Sequence, residues 1–324
     1  MSRYKIVFAD YYYPNLDAEM EELQALGEDV EIVDLTKVVP GGIKDPRELI
    51  RYAKDADALI VQFARVDAEF IRALEKCKVI ARYAIGVDTI DLEAARAKGI
   101  RVANVPDYCI EEVADTAAAH ILNAARKLSV TRDMLLKGEF EMNRAGSIFR
   151  LENATLGLLG FGNVARNLYV KMRGFFKNVV AYDPYFKDTA AYPDVKFGML
   201  EEVLREGDVL SLHVPLNPST QNMLSDAQFD MMKPRAILVN TARGGLIDER
   251  ALVAALDAGK LAYCGLDVIC TEDFENSLLL HHEKIALSPH VAWRSEEAQA
   301  ELQHKVARNV VSALTSGSPV YTVV

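Results

Sequence analysis

Short apolar runs alternate with longer charged, amphipathic stretches along the whole chain. In the first third, five such runs predict β-strands at 5–9, 30–35, 58–64, 78–84 and 101–106. The stretches between them carry apolar residues at helical spacing, and several begin with aspartate, which favours a helix N-terminus. Regular alternation of strand and helix predicts a parallel sheet that is covered by helices on both faces.

A second alternating series follows a long helical stretch at 106–140. This stretch contains no glycine before Gly138 and predicts a bridge between two lobes, with a candidate dimer surface. Six further strands are predicted at 155–161, 178–184, 208–215, 236–242, 262–268 and 284–290, and a final amphipathic helix at 295–317. Because a chain of 324 residues suits about two domains, each series predicts one doubly wound α/β domain.

Composition and charge exclude several classes of partner. The formal net charge of −10 and the pI of about 5.2 disfavour binding to nucleic acid and to anionic membranes. No apolar run approaches the ~18 residues that cross a bilayer, and the chain starts without a charged-then-apolar leader. The four cysteines are scattered, without disulfide or zinc spacing. We therefore expect reduced thiols, no metal site and a cytoplasmic location.

The stretch LGLLGFGNVAR predicts a dinucleotide-binding turn between a strand and a helix. Gly160 permits a tight turn, Gly162 lets a pyrophosphate approach the backbone, and Ala165 lets the helix pack closely on the strand. Asp183 follows the next strand about 20 residues later, where an acid binds ribose hydroxyls and repels a 2′-phosphate. NAD(H) is therefore expected over NADP(H), unless Lys187, which we expect to be solvated, softens the preference. The alternative is a tight turn and a strand-end aspartate in a domain that binds no nucleotide.

Three charged or titratable residues, Arg243, Glu272 and His290, also follow predicted strands. Hydride transfer to a 2-oxo acid requires a cation for the carboxylate, a proton donor at the carbonyl oxygen and a carboxylate that keeps this donor protonated. Taken singly, the arginine suits a helix cap, the glutamate a solvated loop and the histidine a core position. Together, at the sheet edge where doubly wound domains bind ligands, they favour catalysis.

These motifs, in this order, resemble those of the D-isomer-specific 2-hydroxyacid dehydrogenase family. The resemblance covers nearly the whole chain and rests on GVDTIDLEAARAKGIRVANVP, LGLLGFGNVAR, LSLHVPLNPSTQNML, LVNTARGGLIDERAL, GLDV and SPHVAW. It implies a Rossmann NAD domain at 103–292, inserted in a split, flavodoxin-like substrate domain formed by 1–102 plus 293–324. It also implies a homodimer.

The resemblance assigns catalytic roles to Arg243, Glu272 and His290, and the glutamate argues against the formate dehydrogenase branch, which carries glutamine there. The implied cofactor contacts are Gly160, Phe161, Gly162, Asn163, Val164, Asp183, His213, Val214, Pro215, Thr241, Ala242, Asp267 and Trp293. Within this set, Asp267 would orient the nicotinamide amide. The implied substrate contacts are Arg82, Ala84, Ile85, Gly86 and Arg243.

Two groups within the family look most similar to this chain. ARYAIGVDTIDL resembles the phosphoglycerate dehydrogenases, whereas EEVADTAAAHILNAARKL and HVAWRSEEA resemble the C-terminal-binding-protein corepressors. The expected function is NAD-dependent hydride transfer between a D-2-hydroxy acid and its 2-oxo acid, with D-3-phosphoglycerate, glyoxylate or hydroxypyruvate as candidate substrates. The alternative is an NAD(H)-responsive regulatory binding protein. Ile85 stands where both groups usually carry Ser or Thr, which puts one substrate or cofactor contact in doubt.

Overall fold

The structure, a computed structural model, describes residues 3–146, 148–270 and 273–324. Glu272, one of the three predicted catalytic residues, lies outside the described residues. The chain divides into two compact units, Met1–Tyr108 with Ser295–Val324 (unit 1) and Cys109–Arg294 (unit 2). The boundaries expected from the sequence, after 102 and after 292, lie slightly earlier along the chain.

The described residues form twelve strands, and the ladders between them are parallel. They are β1 (Tyr4–Phe8), β2 (Val30–Asp34), β3 (Ala58–Val61), β4 (Val79–Arg82), β5 (Arg101–Ala103), β6 (Thr155–Leu159), β7 (Asn178–Tyr182), β8 (Val195–Phe197), β9 (Val209–Leu212), β10 (Ala236–Asn240), β11 (Leu261–Leu266) and β12 (Ile285–Leu287). Every strand predicted from the sequence is present. The additional strand, β8, was not predicted because it is only three residues long and buries a single side chain fully.

The helices of the described residues are α1 (Asp17–Leu23), α2 (Pro46–Ala53), α3 (Ala68–Ala73), α4 (Leu92–Lys98), α5 (Ile110–Arg126), α6 (Leu128–Leu136), α7 (Asn163–Met172), α8 (Leu200–Glu206), α9 (Asp226–Met231), α10 (Glu249–Asp257) and α11 (Glu296–Ser316). The helical stretch expected at 106–140 is present but is divided into α5 and α6. Lys127 adopts a left-handed conformation with φ of 54° and separates α5 from α6. Asn123 stabilises the break by accepting a hydrogen bond of 2.9 Å from the backbone N–H of Ser129. No glycine or proline marks this break in the sequence.

The strand orders place the ligand-binding edge of each sheet. Unit 1 has the order β2-β1-β3-β4-β5, which is the flavodoxin-like arrangement, and unit 2 has the order β12-β11-β10-β9-β6-β7-β8. The second order is that of a dinucleotide-binding sheet with one additional edge strand, β12. Strand order reverses between β1 and β3 and between β6 and β9, and ligands bind outside the carboxyl ends at such points. The expected fold class, two doubly wound parallel-sheet domains, is confirmed.

Burial on both faces explains why the strands appear as continuous apolar runs. β3, β4, β6, β9 and β10 are buried along their whole length. In unit 1, the C-terminal helix α11 packs against α1 and β4. None of the described helices combines the length and the apolarity needed to cross a membrane.

Candidate active site

The glycine turn of unit 2 connects β6 to α7. Gly160 has a φ of 95°, and a Cβ there would lie 2.8 Å from the carbonyl carbon of His213, so only glycine fits between the loops after β6 and β9. A Cβ at Gly162 would meet no atom within 4 Å. The turn therefore leaves open space beside Gly162, where the N-terminus of α7 can present N–H groups to a phosphate.

Asp183 closes the glycine turn with its own carboxylate. Its Oδ2 accepts a hydrogen bond of 2.8 Å from the N–H of Phe161, and its Oδ1 accepts from the N–H groups of Tyr185 (2.9 Å) and Phe186 (3.1 Å). A carboxylate offers about four acceptor positions. These three contacts therefore leave Oδ2 with an acceptor position for a ribose hydroxyl.

The predicted cofactor residues of the turn contribute through different groups. The Phe161 ring is fully buried and packs edge-on against Phe186, Tyr192 and Phe197, with centroids 4.9–5.1 Å apart. Only its backbone can therefore contact a ligand. Asn163 is exposed at the start of α7, where its side chain accepts a hydrogen bond from Arg166.

The ends of β9 and β10 carry further predicted cofactor residues. The His213 ring nitrogen Nε2 lies 2.9 Å from Ser211 Oγ, and burial lowers the pKa of His213 to about 4. This histidine is therefore neutral at physiological pH. Thr241 Oγ1 is buried and has no hydrogen-bond partner among the described residues. A buried hydroxyl without a partner is costly, so Thr241 fits a polar group of a bound dinucleotide.

Arg243 lies just past β10, in a loop that Asn240 organises. The buried Asn240 accepts a hydrogen bond of 3.0 Å from the Ala242 N–H and donates one of 2.8 Å to the Arg243 carbonyl. The Arg243 guanidinium, through Nη1, donates to the Ala242 carbonyl at 2.7 Å. Sequence reasoning did not assign a role to Asn240. Its position directly after a buried apolar run, where a polar side chain must find partners, was the available signal.

Asp267 lies past β11 and holds the segment that carries His290. The Asp267 carboxylate is fully buried and accepts hydrogen bonds from the Val291 N–H (3.0 Å) and the Ala292 N–H (2.8 Å). The His290 N–H donates to the Asp267 carbonyl at 2.8 Å. β10, β11 and β12 are neighbours in the parallel sheet that also contains β6. Arg243, Asp267 and His290 therefore lie past the carboxyl ends of their strands, at the same edge of the sheet as the glycine turn. Trp293 continues the His290 segment to the end of unit 2.

The predicted substrate contacts Arg82, Ala84, Ile85 and Gly86 lie in unit 1, after β4. Arg82 is buried and braces this loop, donating from Nη1 to the Gly86 carbonyl at 2.9 Å and from Nε to the Gln62 carbonyl at 3.1 Å. Asn104 donates to the Ile85 carbonyl at 2.7 Å and was not singled out from the sequence. The predicted site residues are thus distributed over the two units.

Comparison with known proteins identifies the family. A sequence profile described as the NAD binding domain of D-isomer specific 2-hydroxyacid dehydrogenase matches residues 118–292. The D-3-phosphoglycerate dehydrogenase of Methanocaldococcus jannaschii is 37% identical over 288 residues, covering 88% of this chain and 54% of that protein. The glyoxylate reductase of Thermococcus litoralis is 32% identical over 292 residues, covering 88% of this chain and 87% of that protein. The chain belongs to the D-isomer-specific 2-hydroxyacid dehydrogenase family.

A solved structure agrees with this assignment. A glyoxylate reductase from Paecilomyes thermophila superposes with a TM-score of 0.87 at 28% identity, covering 100% of this chain and 99% of that chain. Membership of the family confirms the expected fold class, the oxidoreductase class and NAD as the cofactor. The chain spans about half the length of the phosphoglycerate dehydrogenase but most of the glyoxylate reductase.

Proposed function

We propose that this dehydrogenase interconverts a D-2-hydroxy acid and its 2-oxo acid with NAD(H). One observation supports the proposal above all. The glycine turn, Arg243 and His290 follow the carboxyl ends of β6, β10 and β12 within one parallel sheet. A phosphate-binding turn, an anion-binding guanidinium and a proton donor are the groups that reduction of a 2-oxo acid requires.

Each residue has a distinct role in the proposed reaction. Arg243 binds the substrate's carboxylate through its planar guanidinium and aligns the carbonyl. His290 donates a proton to the carbonyl oxygen, and Glu272 keeps His290 protonated by charge pairing. On the resemblance alone, the backbone N–H groups of 84–86 are further candidates for binding the substrate. When bound, NADH supplies the hydride that reduces the substrate's C2.

The residues present fit the dinucleotide. Asp183 has an acceptor position left for a ribose hydroxyl, Gly162 has open space beside it, and the Thr241 hydroxyl lacks a partner in the part of the chain that the structure describes. The carboxylate of Asp183 also repels a 2′-phosphate, which supports NAD(H) over NADP(H). We assign Asp267 and the loops at 213–215 and 241–242 to the nicotinamide end.

The substrate is proposed from the relatives. Proteins similar to this chain are named glyoxylate reductase and D-3-phosphoglycerate dehydrogenase, so small 2-oxo acids with short side chains come first. The test follows NADH absorbance with purified protein and a panel of glyoxylate, hydroxypyruvate, its phosphate ester and pyruvate. Turnover of one or more supports the proposal. NADH binding without turnover of any 2-oxo acid would favour the alternative, an NAD(H)-responsive regulatory protein, which pull-down of partner proteins would then test.

We further propose that the protein is a homodimer located in the cytoplasm. Helix α6 and the residues after it expose large apolar side chains, with Leu128, Leu135, Leu136 and Phe140 between 57% and 89% exposed. Several large apolar side chains exposed along one helix and the residues after it are typical of an interface, and twofold dimers are the commonest assemblies. Leu135→Glu with Leu136→Glu should convert the dimer to a monomer in analytical ultracentrifugation. A wild-type monomer would refute this proposal.

A further inference from the structure

Three side chains of unit 2 form a hydrogen-bonded chain behind the segment that carries His290. His120 of α5 approaches Ser288, with Nε2 and Oγ 3.1 Å apart, and Ser288 Oγ donates to Asp267 Oδ1 at 2.5 Å. The Ser288 hydroxyl has one hydrogen, and an ionised carboxylate only accepts. Ser288 therefore accepts from His120, whose Nε2 carries the proton. Burial lowers the pKa of His120, which keeps its ring neutral.

Strand β11 carries a glycine where the His120 ring approaches its backbone. A Cβ at Gly265 would lie 2.8 Å from both Cβ and Nδ1 of His120, so any larger residue at this position would displace the imidazole. Gly265 is buried within β11, one residue before the strand ends, and glycine is normally unfavourable inside a strand. Its presence therefore has a packing reason, namely the close approach of His120 to the backbone of β11.

At the Asp267 end of the hydrogen-bonded chain, His290 is held in an uncommon backbone conformation. His290 has a φ of 53°, a left-handed conformation that non-glycine residues rarely adopt and that costs roughly 1–3 kcal/mol. Asp267 maintains it by binding the N–H groups on the C-terminal side, Val291 and Ala292, and the hydroxyl on the N-terminal side, Ser288. The backbone that carries the His290 side chain is therefore held by the contacts of one buried carboxylate.

We propose that His120 and Ser288 are positioning residues that orient Asp267 and, through it, the catalytic His290. Ser288 fixes one oxygen of the Asp267 carboxylate, and His120 fixes the rotamer of the Ser288 hydroxyl. Without them the carboxylate can rotate away from the Val291 and Ala292 N–H groups, and the left-handed turn at His290 relaxes. The inference rests on the proposed role of His290 as the proton donor.

Steady-state kinetics of three variants tests the proposal. Ser288→Ala and His120→Leu should lower kcat by about tenfold or more, because a small misplacement of a reacting group costs up to ~10²-fold. His120→Gln retains a donor near the position of Nε2 and should recover much of the lost rate. The control, Ser225→Ala, removes a hydroxyl that contacts Gln228 at the start of α9 and should lower thermal stability without changing kcat.

Two outcomes would overturn the positioning role in an active enzyme. One is that Ser288→Ala and His120→Leu keep the wild-type kcat. The other is that kcat falls only in proportion to the loss of Tm and that His120→Gln does not restore it. A second readout does not depend on activity. The ring-proton NMR resonances of His290, assigned with His290→Gln, should shift in Ser288→Ala and His120→Leu but not in Ser225→Ala. Wild-type protein that turns over no 2-oxo acid refutes the proposed function, whereas unchanged resonances refute the positioning chain.

Discussion

Gly244 lies so close to Ile269 that a Cβ on Gly244 would be 2.1 Å from the Ile269 carbonyl carbon. The loop after β10 therefore packs directly on the backbone of the loop after β11. Arg243 precedes this contact by one residue, and the sequence reaches Glu272 three residues after Ile269. Gly244 does not adopt a left-handed φ, so its backbone conformation does not require glycine. Glycine is required there because the two loops pack closely.

Gly244→Ala should displace these two loops. Overpacking of this kind costs typically ~1–3 kcal/mol, and we expect a lower Tm together with kcat/KM at least about tenfold lower, because Arg243 moves with its loop. The matched control is Gly174→Ala, since a Cβ at Gly174 meets nothing within 4 Å. Thermal unfolding and steady-state kinetics measure both variants. Equal behaviour of the two would show that the contact between the loops is unimportant.

Asp183→Ala should weaken NADH binding about tenfold or more. Loss of a hydrogen bond to a charged group costs ~1.5–3 kcal/mol, and ~1.4 kcal/mol corresponds to tenfold in Kd. The preference over NADPH should also narrow, because the charge that repels a 2′-phosphate is gone. Asp194→Ala, an exposed acid of the same unit, is the control for net charge. Fluorescence titration with each dinucleotide decides, and an unchanged ratio of affinities rules out the role of Asp183.

The sequence predicted the strands well because burial on both faces leaves an apolar run that local inspection detects. It predicted the glycine turn because two glycines spaced as Gly160 and Gly162 are, between a strand and a helix, form a local sequence signature. The break at Lys127 was missed because its cause is a side-chain contact from Asn123, and helical periodicity continues through it. Asp267 was expected to contact the cofactor. Its contacts with Ser288, Val291 and Ala292 were not predicted, because they depend on how strands β11 and β12 pair. Sequence spacing does not contain that information.

Stability should depend on pH through Glu19. This residue is fully buried, accepts hydrogen bonds from the Tyr83 hydroxyl and from Gln303 Nε2, and has its pKa raised above the usual 4.5 by burial. A carboxyl whose folded-state pKa is raised contributes stability below its unfolded pKa and loses it as pH rises through the folded value. Glu19→Gln, which cannot ionise, should therefore lose less Tm between about pH 5 and about pH 8 than the wild type. Identical pH dependence of the two proteins in thermal unfolding would contradict this.

Glu272→Gln should move the pH range of activity. The proposed reduction requires protonated His290, and a neighbouring negative charge favours that form. Removing the charge should shift the upper pH limit for reduction of a 2-oxo acid to lower pH and reduce the rate near neutral pH. Glu275→Gln, which changes an acid nearby in the sequence, is the control. A pH–rate profile that matches the wild type would show that Glu272 does not pair with His290.

Arg243→Lys separates attraction of the carboxylate from alignment of the substrate. Lysine keeps a positive charge but offers a point charge in place of a planar fork, so it retains part of the attraction and loses the alignment. Alignment acts in the transition state, and loss of one preorganised donor typically costs ~10²–10³ in rate. We expect kcat/KM for the 2-oxo acid to fall by that order, whereas NADH affinity changes little, because the proposed dinucleotide contacts, the glycine turn and Asp183, lie elsewhere in the sheet.

The Arg243 experiment has a matched control and a clear contrary result. Arg250→Lys makes the same exchange at an exposed position on α10, and its kinetics should equal those of the wild type. Arg243→Ala should be more damaging than Arg243→Lys, since it removes the charge as well as the fork. Steady-state kinetics and NADH fluorescence are measured on the three variants and on the wild type. If Arg243→Lys keeps a near-normal kcat/KM, or loses NADH binding and activity in equal measure, then Arg243 serves the cofactor or the fold, and the anion that it binds is not the substrate's carboxylate.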